Sequence, residues 1–139
     1  PEDGDSDLMN IGTLSVTADY VDYLKRLMDL HEALNPISHI KKFELVPGDA
    51  TVTLPDYLKA NPETIVALAY LDFDLYEPTK ACLEGIKDRL VKGSLVVFDE
   101  LNDHASPGET MALMEVFGLN NVKLQRWPYA SRASYFAVE

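Results

Sequence analysis

The chain has 139 residues, 47% hydrophobic and 25% charged, the balance of a globular domain and not of a disordered segment. Twelve basic against 23 acidic residues leave a net charge of −11, which repels phosphate backbones and argues against nucleic acid as a partner. No apolar run approaches the ~18 residues of a membrane span, and no basic stretch leads into an apolar one as in a secretory signal.

The length fits one domain, 1–139. Cys82 has no second cysteine for an internal disulfide, so a reducing, cytoplasmic setting is expected. The start at Pro1 rather than Met fits processing or excision from something longer. Residues 1–10 carry Glu2, Asp3, Asp5 and Asp7, a charge run that reads as a solvated loop or a frayed end.

A helix is expected from about Thr17, whose hydroxyl can cap the first turn, with Asp19 at the positive end of the dipole. Val21, Leu24, Leu27, Met28, His31 and Leu34 follow helical spacing. Asn35-Pro36 ends it. Phe43 to Val46 reads as a short strand closed by Pro47-Gly48. Thr53 to Ala60 reads as a short helix ended by Asn61-Pro62. Thr64 to Leu71 is eight residues without a charge, which predicts a strand buried on both faces, hence a parallel sheet covered by helices.

Pro78 suits a helix start. Leu83, Ile86 and Leu90 give that helix an apolar stripe, and Gly93 is its expected stop. Ser94 to Phe98 is a second buried strand. Ser106-Pro107-Gly108-Glu109 has the pattern of a capping box, opening a helix that runs to about Phe117 with Gly118 as stop. Val122 to Trp127 and Ala133 to Val138 read as two closing strands, an antiparallel hairpin with a longer loop. Met28, Met111 and Met114 are expected in the core. The alternation predicts an α/β fold, a three-layer αβα sandwich with a mostly parallel sheet and a C-terminal antiparallel hairpin.

Ligands in such sheets bind at the carboxyl ends of the strands. The first buried strand ends in Asp72-Phe73-Asp74 and the second in Asp99-Glu100. Parallel neighbours would bring these acids to one edge, where like charges repel and raise each other's pKa. A divalent cation relieves the repulsion, and oxygen donors favour Mg²⁺, Ca²⁺ or Mn²⁺ over zinc. His31, His39 and His104 are too scattered for a zinc set. Acids at strand ends also simply face water, which is the blander account. Asp49 either accepts a hydrogen bond from a ligand amine or caps the next helix. His104 is a base or a surface loop residue. Tyr70, Tyr76 and Trp127 line a pocket or merely pack.

The segment LDFDLYEPTKACLEGIKDRLVKGSLVVFDE, followed by PGE, resembles the macrocin O-methyltransferase family. These are S-adenosylmethionine-dependent enzymes that methylate sugar hydroxyls. The likeness rests on a strand ending D-x-D-x-Y, then a helix, then a strand ending in an acidic pair. Asp72, Asp74, Tyr76, Gly93 and Asp99 fit it, and it is strong from about Phe43 to Gly118. The resemblance implies a Rossmann-like methyltransferase sheet whose last strand lies inside, between the two formed before it. It implies Asp72, Asp99 and Glu100 as metal ligands, Asp74 as general base, and Asp49 and Ala50 at the adenine ring. S-adenosylmethionine and Mg²⁺ or another divalent cation are the implied cofactors, and a sugar-like hydroxyl the acceptor. A homo-oligomer is compatible with it.

Two departures stand out. Glu100 occupies a position where the family usually has Asp. The family's first strand with its glycine-rich cofactor turn is not found, nor the acid for the ribose hydroxyls. The N-terminal strands are therefore expected to be missing, Phe43 to Val46 to need a new neighbour, and cofactor binding by this chain to be weak. A haloacid-dehalogenase-like phosphatase also uses D-x-D, but Tyr76 is foreign to that motif. A glycosyltransferase lacks the second acidic pair at this spacing. A non-catalytic methyltransferase-like fragment is the remaining alternative.

Overall fold

A computed structural model describes residue 3, residues 15–129 and residues 132–139. Of the charge run at 1–10, all but Asp3 lies outside the described residues; the Asp3 carboxylate accepts a 2.5 Å hydrogen bond from the Tyr76 N–H. The chain divides into two compact units, Leu14–Gly48 and Asp49–Glu139 with Pro1–Thr13.

The smaller unit holds α1 (Tyr20–Leu34). It starts a turn later than Thr17, because the Thr17 carbonyl, not its hydroxyl, receives the first N–H, from Tyr20 at 3.0 Å. Asp19 makes no side-chain cap. The stop is as expected: Asn35 N–H donates to the Glu32 carbonyl at 3.1 Å and its side chain to the His31 carbonyl at 2.9 Å. The following chain folds back on α1 through Lys42, whose ammonium pairs with Glu32 and whose N–H donates to Glu32 Oε2 at 2.8 Å.

Phe43 to Val46 is not a strand. A strand exists only by pairing its N–H and C=O groups, and the described sheet contains no partner for this segment.

The larger unit is built on β1 (Val66–Leu71), β2 (Leu90–Phe98), β3 (Gln125–Arg126) and β4 (Ser134–Ala137), in the order β1-β2-β4-β3. β1 and β2 are parallel, and β4 is antiparallel to both β2 and β3. The last strand therefore lies inside the sheet, as the resemblance implied. The helices are α2 (Ala50–Ala60), α3 (Tyr76–Ile86) and α4 (Gly108–Val116).

Several boundaries move for local reasons. α2 begins at Ala50, three residues before Thr53, because Asp49 accepts from the Thr51 N–H at 2.9 Å and caps it. α3 ends at Ile86 in a short 3₁₀ turn, Lys87–Arg89, and Leu90 becomes the first residue of β2. Gly93 is no helix stop. It lies within β2 at φ 90°, a left-handed conformation that glycine adopts freely, where the register with β1 slips.

The core joins Leu71, Val96, Phe98 and Phe136 of the sheet to Cys82 and Leu83 of α3 and Ala112 and Leu113 of α4. Ala50 and Leu54 of α2 pack on the same cluster. The three helices of this unit thus cover one face of the sheet. On the other face Leu68 and Tyr70 are 61% and 56% exposed, so β1 is not buried on both sides. Met111 and Met114 are not core either: α4 turns Gly108, Glu109, Ala112 and Leu113 inward, which leaves both methionines on the exposed side.

Candidate active site

Leu71 pairs with Phe98 in the parallel register, so both strands release their acids at the same edge. The Asp99 N–H donates to the Leu71 carbonyl at 3.1 Å and keeps the two exits together. The acids sense one another. Desolvation first, then the charges of Asp99 and Glu100, push the Asp72 carboxyl above its ordinary range. Desolvation, then the charges of Glu100 and Asp72, a hydrogen-bond contact with Glu100 and the Asp99 charge do the same to Asp74. Asp74 also has φ 59°, a left-handed backbone rarely taken by a residue with a Cβ.

α4 holds these loops from below. Glu109 is fully buried; Oε2 accepts from the Glu100 N–H at 3.1 Å and Oε1 from the Phe73 N–H at 3.4 Å. Burial lifts its carboxyl to about 7. The capping box does not form, because both of its side chains are engaged elsewhere. Ser106 donates to Glu100 Oε2 instead, and Pro107 takes the cap position with no side-chain bond. Thr110 Oγ1 accepts from the Asn102 N–H at 2.7 Å. Gly108 lies flat against the D-x-D-x-Y turn: a Cβ there would stand 2.5 Å from the Tyr76 nitrogen and 2.6 Å from the Asp74 carbonyl.

Other partners enter from the sheet. Tyr70 donates to Asp99 Oδ1 at 2.5 Å. Arg132 pairs with Glu100 and with Asp103, the latter at 2.5 Å. Sequence reasoning missed Glu109, Ser106 and Arg132 as parts of this edge. Ser106 and Glu109 did carry a signal, the Ser-x-x-Glu pattern, but it pointed to the wrong partners. Arg132 sits in the loop between β3 and β4 and carries none.

The remaining candidates separate. Asp49 caps α2, and Thr51 holds its carboxyl below the usual range. Ala50 packs on the core beside it. His104 is an exposed loop residue. Tyr76 bonds Glu115 across α3 and α4 with Lys80 alongside, a packing role. Trp127 is half exposed on the open sheet face with Tyr70.

Asp72, Asp74, Asp99 and Glu100 suit a hard cation by chemistry, being oxygen donors whose mutual repulsion two of them already register. Among the described residues, though, no three His, Cys, Asp or Glu side chains are set as a group that could hold a metal ion. Arg132 and Ser106 occupy Glu100.

No family model and no curated protein matches the chain. Among solved structures it is similar to CalS11, a calicheamicin methyltransferase, with 40% identity and TM-score 0.90 over 99% of this chain and 55% of that one. The apo structure of CalS11, described as a TDP-rhamnose 3′-O-methyltransferase of calicheamicin biosynthesis, matches at 44% identity and TM-score 0.82, over 88% of this chain and 54% of that one. Over nearly its whole length the chain resembles these O-methyltransferases. It spans about half of their length. The O-methyltransferase NovP, 20% identical over 97% of this chain and 56% of that one, shares the fold at TM-score 0.64. The family resemblance carried by Asp72, Asp74, Tyr76 and Asp99 is thereby borne out, as is the α/β class with its mixed sheet. Among the described residues no helix is long and apolar enough to cross a membrane.

Proposed function

We propose that the chain carries the catalytic edge of an S-adenosylmethionine-dependent, divalent-cation-dependent O-methyltransferase acting on a hydroxyl of a sugar or sugar-bearing metabolite in the cytoplasm. The observation that carries this reading is the convergence of two acid-bearing strand ends, Asp72/Asp74 and Asp99/Glu100, on one edge. The CalS11 likeness supports the sugar acceptor.

When bound, S-adenosylmethionine supplies an electrophilic methyl group, and the cation acidifies the acceptor hydroxyl. Asp72, Asp99 and Glu100 would be the residues to hold the cation, with Glu100 available to it only when free of Arg132. Asp74 takes the hydroxyl proton as the oxygen–methyl bond forms and the sulfur–methyl bond breaks. Its raised pKa makes it a stronger base than an ordinary aspartate. Asp49 and Ala50, at the start of α2, are proposed to meet the adenine ring.

The test is Mn²⁺ binding followed by electron paramagnetic resonance, with methyl transfer from labelled S-adenosylmethionine to TDP-rhamnose in protein that completes the fold. Asp72→Asn is expected to lose the cation. Asp74→Asn is expected to keep it and to lower turnover by ~10²–10⁴. No cation binding by the wild type, or equal loss in both variants, overturns the assignment.

A further inference from the structure

We infer that Glu109 is a positioning residue for this edge: its one carboxylate ties the loop after β1 to the loop after β2 and so sets the spacing of the acids they carry. The inference rests on the reading of the edge as a cation and proton-transfer site.

A buried carboxylate is costly unless its oxygens are satisfied. Glu109 has no exposed surface, and its two oxygens accept one backbone N–H from each loop, Phe73 and Glu100. Phe73 lies between Asp72 and Asp74; Glu100 follows Asp99. One rigid planar group therefore spans both acid pairs. Its own placement is fixed from the other side. Gly108 presses the helix start against the backbone of residues 74–76, and Ser106 and Thr110 on either side bond Glu100 and Asn102. An ordinary first-turn glutamate would face solvent or cap its own helix. This one reaches the two loops that follow β1 and β2. Groups that orient ligating carboxylates typically change metal affinity 10- to 100-fold when removed.

The experiment compares wild type with Glu109→Leu and Glu109→Gln in the whole 139-residue chain. It reads amide hydrogen exchange by NMR and Mn²⁺ affinity by electron paramagnetic resonance. In Glu109→Leu the Phe73 and Glu100 amides are expected to exchange faster together, while those of Val96 and Phe136 in the β2–β4 ladder hold. Mn²⁺ affinity is expected to fall about 10- to 100-fold. Gln keeps the shape and one acceptor oxygen, so Glu109→Gln is expected to speed one of the two amides and to weaken Mn²⁺ less. Should the leucine variant fail to fold, the glutamine variant alone decides. Unchanged exchange at both amides overturns the inference, as does acceleration spread evenly over the sheet. If wild type binds no Mn²⁺ while the two amides still respond selectively, the cation reading falls and the loop-positioning role stands.

Discussion

The Tyr70 phenol donates a 2.5 Å hydrogen bond to Asp99 Oδ1, linking the last turns of two neighbouring parallel strands. The bond lifts the Tyr70 hydroxyl to about 12, so it remains a donor at any working pH. Tyr70 is the penultimate residue of β1, and Asp72 is the first residue beyond it. The phenol thus fixes one oxygen of an acid proposed to hold a cation. Tyr70→Phe removes the donor and little else, because the ring is half exposed. Stability is expected to change by about 1 kcal/mol or less, and Mn²⁺ affinity to fall about tenfold. Urea denaturation and a Mn²⁺ titration separate the two. Unaltered affinity would remove Asp99 from the ligand set.

Arg132 is the cation that the edge supplies for itself. It sits on Glu100 and Asp103; the Ala105 N–H first, and the Arg132 charge after it, hold the Asp103 carboxyl below its usual range. If Glu100 is a ligand, Arg132 competes with the divalent ion. Arg132→Gln is then expected to strengthen Mg²⁺ binding, as read by calorimetry. Weaker binding would show that Glu100 serves as an anchor for Arg132 and not as a ligand.

The two described helical glycines, Gly108 and Gly85, should respond oppositely to alanine. At Gly108 the new Cβ meets backbone at 2.5–2.7 Å, which cannot yield as a side chain can. Overpacking of this kind costs about 1–3 kcal/mol, and it would displace the turn that holds Asp74. At Gly85, inside α3, the nearest atoms are Leu54 and Leu58 methyls at 3.6 and 3.7 Å, an ordinary contact. There Gly→Ala gains up to ~1 kcal/mol of helix propensity. Denaturation midpoints moving in the same direction for both would contradict this.

The parallel strand pair was legible because an uncharged run that ends in carboxylates marks both a strand and its exit, although the role of the acids stayed open between a ligand edge and plain solvation. The inner place of β4 was legible only through the family likeness, since nothing local to Ser134–Ala137 states its neighbours. Two-sided burial of β1 was read from the same run without charges, yet this unit's helices cover one face. An apolar residue reports that a partner is needed, not that this segment supplies it. Phe43 to Val46 failed as a strand for the same reason. Glu109 was misread because Ser-x-x-Glu has two outlets, its own helix start or the loops above it. Only tertiary contact chooses between them.

The pH dependence of folding follows from the sign of these shifts. Glu109 sits near 4.5 when unfolded and near 7 when folded. Between those values the folded chain binds a proton that the unfolded chain has lost, so stability falls as pH rises through this window. Asp72 and Asp74 are raised as well and act in the same direction, from 3.8 upward. Asp49, Asp103 and Glu115 are depressed and act oppositely, but their contribution is lost only below about 4, and they are exposed to solvent screening. Acidifying from pH 7.5 to 5 is therefore expected to raise the urea midpoint. Glu109→Gln should flatten most of that slope, because a neutral amide has no proton to gain. Saturating Mg²⁺ should raise the midpoint at pH 7.5 and so shrink the gain on acidification, since the ion relieves the repulsion that protons otherwise relieve. A midpoint that drops steadily from pH 7.5 to 5 would mean that the acids at this edge are already neutralised by partners such as Arg132.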